Sequence, residues 1–411
     1  MPGPADELAS LQSEGLLRSL RPLDSPAGPK VVRDQRELWN FASNDYLGLA
    51  RHPAISAAII EGVERYGAGS AASRLVCGSL PPHRQLEEAL AAAKQCEAAL
   101  TFSSGFATPL GLIPAVLGKS DFILLDKLSH ACLVDAARLS GATMRVFPHN
   151  DCGKLRRLLE SCRAKAPRAR ILVATESVFS MDGDLCPLRE IVGLVENFDA
   201  MLLLDEAHAF GVLGETGMGL AEREHLQGRI TFQMGTLSKA AGLAGGYVAA
   251  SRQWIDLLVN RARSLIYSTA PPPAIAHAAV ASLEWIRSAE GRQLRGKLEA
   301  NIKQLAGLVT PSAPSPVTPI LPIVLGTNEA AMAAASRLEA DGFLVPAIRY
   351  PTVPRGTARL RISLSAAHPP EALASLARSW SILLQSVQGA SCSLANAPRP
   401  EDPPPSTALH P

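Results

Sequence analysis

A two-part α/β protein is predicted by three features of the 411-residue sequence. Short apolar runs of strand length alternate with longer helical segments between Ala98 and Ala250, the pattern of a mostly parallel sheet. The break at Pro271, Pro272 and Pro273 then leads into a stretch rich in helix formers, which predicts a second, smaller α+β unit. With 47% hydrophobic and 19% charged residues, the chain can bury a sizeable core.

Taken in order, the acidic start and Leu8, Leu11, Leu16 and Leu20 predict a short amphipathic helix from Asp6 to Leu20. Pro22, Pro26 and Pro29 then force an extended arm, so residues 1–45 form an N-terminal segment. Residues 46–273 form the large unit, with strands at Ala98–Phe102, Phe122–Leu125, Thr143–Phe147, Ile171–Thr175, Met201–Leu204 and Tyr247–Ala250. Residues 274–388 form the small unit, helical first, with strands near Ile320–Leu325 and Arg359–Leu364. Residues 389–411 are rich in Pro, Ser and Ala and are expected to be a disordered tail.

Composition removes several function classes. Lys and Arg total 40 against 38 for Asp and Glu, and a net charge of +2 gives no general attraction to nucleic acid or anionic lipid. Seven scattered cysteines, odd in number and without a CxxC pair, fit a reducing, cytoplasmic compartment better than a disulfide framework, and no metal is expected. The first residues have neither a basic nor an apolar region, so no secretory signal is expected. The uncharged stretch Ala98–Gly118 is long enough to span a bilayer, but Ser103, Ser104, Pro109 and Pro114 interrupt it, and a buried strand followed by a helix explains it better.

The chemistry concentrates at strand ends. In LLLDEAHAFG an apolar strand ends in Asp205 and His208, where the carboxyl edge of a parallel sheet holds ligands. The letters DEAH and the Gly118-Lys119-Ser120 triplet resemble a nucleotide-hydrolysing helicase, but a phosphate loop requires glycine at position 113, which is Ile113. Lys239 sits among small residues in MGTLSKAAGLAGG, a confined setting that lowers a lysine pKa and suits a Schiff-base nucleophile. Combined with a carboxylate at Asp205 for a pyridinium nitrogen, this points to pyridoxal phosphate. FSSGFATPLG supplies a helix N-terminus at Gly105 and Phe106 for the phosphate, with hydroxyls from Thr236 and Ser238. His130 occupies the next strand-to-helix passage, suited to cover one face of the ring.

These segments, with NDYLGLARHP, GSAASRLVCGSLPPHRQLE, TESVFSMDGD, LIYSTAPPP and PTVPRGTARLRISLSAAH, span about residues 10–385 and resemble the α-oxoamine synthase family of fold-type-I pyridoxal phosphate enzymes. The resemblance implies an aspartate-aminotransferase-like large domain. It makes Lys239 the lysine that binds the cofactor aldehyde, Asp205 the partner of the ring nitrogen and His130 the stacking histidine, with cofactor contacts from Gly105, Phe106, Ser180, His208 and Thr236. Arg18, Thr352 and Arg361 fall on substrate positions, with Arg361 holding the amino-acid carboxylate. It further implies a homodimer in which Ser268 and Thr269 reach the neighbour's cofactor phosphate.

The activity implied is a decarboxylative condensation of L-alanine with a pimeloyl thioester, carried by coenzyme A or an acyl carrier protein. A sibling activity such as transfer of acetyl to glycine is the alternative, and a non-catalytic relative is disfavoured because Lys239, Asp205 and His130 occur together. The segment 67–78 is one residue longer than the family's compact glycine-serine loop, a departure that bears on the acyl channel.

Overall fold

The computed structural model describes residues 3–309 and 316–394, with backbone alone described from 385 onward. Strands β1 (Lys30–Arg33) and β2 (Arg36–Asn40) form an antiparallel hairpin. Its two turn residues, Asp34 and Gln35, have φ of +51° and +60°, as a tight hairpin turn requires.

The main sheet follows as β3 (Ala98–Phe102), β4 (Phe122–Asp126), β5 (Thr143–Phe147), β6 (Ile171–Glu176), β7 (Met201–Asp205), β8 (Phe232–Thr236) and β9 (Gly246–Ala250). Their spatial order is β3-β9-β8-β7-β6-β4-β5. Neighbours from β8 to β5 run parallel, and β9 is antiparallel to both β3 and β8. Helices cover both faces, as parallel strands demand. Leu100, Leu125, Leu172, Leu203 and Val248 are buried on one face, and Ala99, Leu124, Val173, Leu204 and Ala249 on the other.

This topology creates the functional edge. Because β9 returns antiparallel beside β8, their connection, residues 237–245, lies at the carboxyl end of β8. Asp126, Glu176 and Asp205 close the parallel strands β4, β6 and β7 at that same edge. Phe102 pairs with Gly246, so β3 ends there too.

A second sheet is built from β10 (Ile320–Gly326), β12 (Ala347–Ile348) and β13 (Ala358–Ser363), with β13 central and antiparallel to both neighbours. Between them in sequence, β11 (Phe343–Leu344) joins β2 in parallel. All six residues of β13 are buried, and Ser363 donates its amide to the Phe41 carbonyl at 2.8 Å. Strand β13 is thereby tied to the segment that leads into Tyr46.

Two expectations need correction. The N-terminal helix covers Pro4–Ser13 only, and none of its residues is buried. Glu14 caps it, Gly15 adopts φ of +65°, and Leu16 and Leu17 turn back to the Leu11 carbonyl, so Leu16 and Leu20 lie outside the helix. The last helix, Pro370–Leu394, runs into the segment expected as a tail, because SILLQSVQGASCSL contains no proline to stop it. Residues 395–411 lie outside the described residues. Among the described residues no helix is long and apolar enough to cross a membrane, and no cluster of metal-ligating side chains occurs.

Candidate active site

The loop after β8 presents Lys239. A side chain at Gly242, whose φ is +71°, would meet the Ala50 backbone nitrogen at 2.4 Å, so this loop packs directly on the backbone at Leu49 and Ala50. From it the Lys239 Nζ reaches His208 Nε2 at 2.8 Å. His208 Nδ1 lies 2.6 Å from the Tyr46 hydroxyl, which is 3.1 Å from Asn44 Oδ1. That oxygen also accepts from Arg361 Nη1 at 3.1 Å. A continuous polar chain therefore links Lys239 to Arg361 through groups from the loops after β8 and β7, the Asn44–Tyr46 segment and β13.

Arg361 is 4% exposed and is held by three acceptors: the Ser180 carbonyl at 2.6 Å, the Ser363 hydroxyl at 2.7 Å and Asn44. Such fixing sets the plane of the guanidinium and leaves Nη2 outside these three bonds, so the direction in which Arg361 can meet a carboxylate is defined. Arg18 lies nearby in sequence to Arg21 but not in role. Its Nη2 donates to the Thr352 hydroxyl at 3.3 Å, whereas Arg21 is paired with Glu339.

Electrostatics distinguish these groups from ordinary surface charges. Burial lowers the Lys239 pKa to about 8, against the opposing pull of Asp205 and Glu176. Burial raises Asp205, and Lys239 counteracts that rise. Burial first, then the Lys239 and Arg361 cations, pushes His208 well below its usual range, so its ring is neutral. Strand register places Glu176 opposite Asp205, and burial followed by the Asp205 charge brings Glu176 up to about 8. The Glu176 carboxylate accepts the His130 amide at 2.6 Å and so anchors the start of the helix Ala131–Ser140.

His130 caps that helix by accepting the Cys132 amide at Nδ1, 3.2 Å away. Desolvation lowers its pKa, with Asp205 opposing. Phe106 meets the ring edge-on, with centroids 6.4 Å apart. Gly105 packs so tightly on Thr236 that a Cβ would lie 3.0 Å from the threonine Cβ and 3.1 Å from its hydroxyl. The Thr236 hydroxyl is 2.8 Å from that of Ser238, and the helix Ala107–Val116 begins beside them. Next to this cleft a cavity of about 660 Å³ is lined by His130, Ser180, Met181, Tyr350, Thr352 and Arg359 among others.

The structure thus brings Lys239, His208 and Arg361 into one network, joins Asp205 to it through charge, and sets Gly105, Phe106, Thr236, His130, Ser180, Thr352 and Arg18 around the cleft and cavity. Ser268 and Thr269 belong to a different segment. Ser268 donates to the Thr269 carbonyl at 3.2 Å, Thr269 bridges to Ser73, and neither hydroxyl is hydrogen-bonded to Lys239, Asp205 or Thr236. Sequence reading assigned no part to Asn44, Tyr46 or Glu176. They lie in the NDYLGLA and TES segments, whose letters alone do not show which distant groups these side chains meet.

Residues 36–379 match the model of the family described as aminotransferase class I and II. A curated protein from Geobacter sulfurreducens named 8-amino-7-oxononanoate synthase is 47% identical over 370 residues, covering 89% of this chain and 93% of that protein. Among solved structures, a serine palmitoyltransferase variant from S. paucimobilis with bound PLP–myriocin aldimine superimposes with a TM-score of 0.87 at 28% identity, covering 94% of this chain and 97% of that one. The 8-amino-7-oxononanoate synthase of Francisella tularensis gives a TM-score of 0.72 at 27% identity, covering 85% and 99%. A match of this extent, together with a lysine, a carboxylate and a histidine on one sheet edge, places the chain in a defined group: it belongs to the aminotransferase class I and II family and, within it, to the 8-amino-7-oxononanoate synthases.

Proposed function

We infer that the protein condenses L-alanine with a pimeloyl thioester, releasing carbon dioxide and the free thiol carrier and yielding 8-amino-7-oxononanoate, a step of biotin biosynthesis. The names of the relatives favour this pairing over glycine with an acetyl thioester. The observation that carries the reading is the Lys239–His208 contact of 2.8 Å beside buried Asp205.

The donor set fits pyridoxal phosphate. An amine with a pKa brought to about 8 suits its aldehyde, a buried carboxylate suits its ring nitrogen, and the Gly105 cradle with the Thr236 hydroxyl at a helix start suits its phosphate. When bound, the cofactor supplies an electron sink that stabilises negative charge at the amino-acid α-carbon. Asp205 keeps the proton on the ring nitrogen, as a carboxylate within a buried site does. His208, neutral and fixed by Tyr46, is assigned to the phenolic oxygen, and Ser180 and Thr236 complete the cofactor contacts.

Arg361 holds the alanine carboxylate in the orientation its three acceptors dictate. The Lys239 amine is the base for the alanine α-proton, because its lowered pKa leaves a substantial fraction neutral near pH 8. The alanine α-carbon then forms a bond to the thioester carbonyl carbon and the thiolate leaves. The resulting β-keto acid loses carbon dioxide, and a proton returns to the α-carbon. His130 and Thr352 line the cavity assigned to the acyl chain, Arg18 reaches it through its bond to Thr352, and the donor is carried by coenzyme A or an acyl carrier protein.

The working unit is a homodimer in the cytosol, each site completed by Ser268 and Thr269 of the neighbouring copy. Six free cysteines among the described residues fit that compartment. Lys239→Ala tests the assignment: turnover falls by at least about a thousandfold and the visible absorbance of the lysine-bound cofactor disappears, while circular dichroism stays native. Normal turnover in that variant would remove the basis of the reading.

A further inference from the structure

The hairpin from Val178 to Leu185 joins the two sheets, and each of its sides is held differently. On the side of the large sheet, His149 donates from Nδ1 to Asp126 at 3.0 Å and from Nε2 to Asp184 at 2.7 Å. Phe179 stands edge-on to the same ring, with centroids 4.3 Å apart. On the side of the small sheet, the Ser180 carbonyl accepts Arg361 Nε at 2.6 Å, and Met181 and Asp182 accept Arg359 at 3.1 and 2.6 Å. Within the hairpin, Phe179 donates to the Asp184 carbonyl at 3.0 Å and Gly183 to the Phe179 carbonyl at 2.8 Å. Displacing Asp184 therefore displaces Ser180.

We propose that His149 is a positioning residue for amino-acid binding: by bridging Asp126 and Asp184 it fixes the hairpin whose Ser180 carbonyl orients Arg361. The proposal rests on the assignment of Arg361 to the substrate carboxylate.

A neutral imidazole has a single N–H, so it can satisfy only one of two flanking carboxylates, and both are satisfied only by the charged ring. Burial opposes that charge, but the bonds to Asp126 and Asp184 override it and raise the His149 pKa to about 10. Asp126 is itself immobile. Its side chain is fully buried at the end of β4 and accepts the amides of Leu128 and Asn150, each at 2.8 Å. Asn150 adds a second tie, from Nδ2 to Asp184 at 3.1 Å. The cation thus couples a buried carboxylate at the edge of the main sheet to a carboxylate carried by the hairpin. On the far side the Ser180 carbonyl is the acceptor for Arg361 Nε, the one nitrogen whose direction sets how the two terminal nitrogens present themselves. None of the His149 hydrogen bonds involves Lys239, Asp205 or His208, so the groups assigned to the cofactor's aldehyde, ring nitrogen and phenolic oxygen keep their own partners when it is lost.

The test is an absorbance titration of the holoenzyme with L-alanine and, separately, with ethylamine, which lacks the carboxylate. His149→Phe should weaken L-alanine about tenfold or more, the scale of one charge-assisted hydrogen bond, and leave ethylamine within about twofold of wild type. Asp184→Asn keeps the side-chain shape and should weaken L-alanine in the same selective way by a smaller factor; it carries the test should His149→Phe fail to fold. Unchanged L-alanine binding in a folded variant, or equal weakening of both ligands, would overturn the proposal. Absence of L-alanine binding by the wild-type holoenzyme would instead overturn the reading of the site on which it rests.

Discussion

At the residue scale, the environment of Lys239 makes a pH prediction. Its pKa is brought from the ordinary lysine range to about 8 by burial, so the reactive neutral amine is present above that pH and is lost below it. The rate at which the apoprotein recombines with pyridoxal phosphate should rise with pH through about 8, and a rise delayed to the range of a free lysine would show that burial does not act as described. Asp205→Asn removes the charge that favours the cation, so the midpoint should move lower.

Lys239, Asp205 and His130 were legible because each is an ionisable residue next to a recognisable apolar strand or a run of small residues. Tyr46 and Glu176 were not, since their importance lies in contacts across 162 and 46 residues of sequence, which no local pattern encodes. The same reason hid His149, whose partners lie 23 and 35 residues away.

At the element scale, the predicted strands of the main sheet appear within a residue or so of their expected bounds because they are short apolar runs bounded by loops. Strand β8 was missed: FQMGT alternates apolar and polar residues, contains a glycine, and becomes a fully buried strand only because β7 and β9 flank it. The N-terminal helix failed in the other direction, its leucines being spaced for a helix that Gly15 ends early.

The turn after β7 also depends on a partner that local sequence does not reveal. Glu206 follows Asp205 directly, yet points away to pair with Lys94, both side chains being fully buried. Lys94 also donates to the Met218 carbonyl at 2.6 Å, and Glu206 accepts the Ala221 amide at 2.9 Å. Lys94→Met leaves a buried carboxylate without its cation and should cost about 3–5 kcal/mol in denaturant unfolding. The double variant Lys94→Met, Glu206→Leu should recover much of that loss. A single variant as stable as wild type would show that the pair does not hold this turn.

At the scale of the whole molecule, the segment bearing Ser268 and Thr269 bridges to Ser73 in the same chain and leaves Tyr267 71% exposed. An exposed aromatic beside two hydroxyls suits a surface shared between copies in a closed dimer. Subunit exchange tests this. A Lys239→Ala chain mixed with a Ser268→Ala, Thr269→Ala chain, each inactive alone, should regain up to about half the activity per hybrid dimer, because one of its two sites escapes both defects. No recovery despite demonstrated exchange would rule out a shared site.

The central claim concerns which two carbon skeletons the protein joins, and the most direct measurement is a product panel. Alanine, glycine and serine are each offered with acetyl, succinyl, pimeloyl and palmitoyl thioesters, and the products are identified by mass. The account predicts that 8-amino-7-oxononanoate from L-alanine and the pimeloyl thioester dominates, with minor leakage because one methylene or hydroxyl in a pocket discriminates by only about 1–3 kcal/mol. Dominance of 2-amino-3-oxobutanoate from glycine and the acetyl thioester, or of 5-aminolevulinate from glycine and the succinyl thioester, would contradict it.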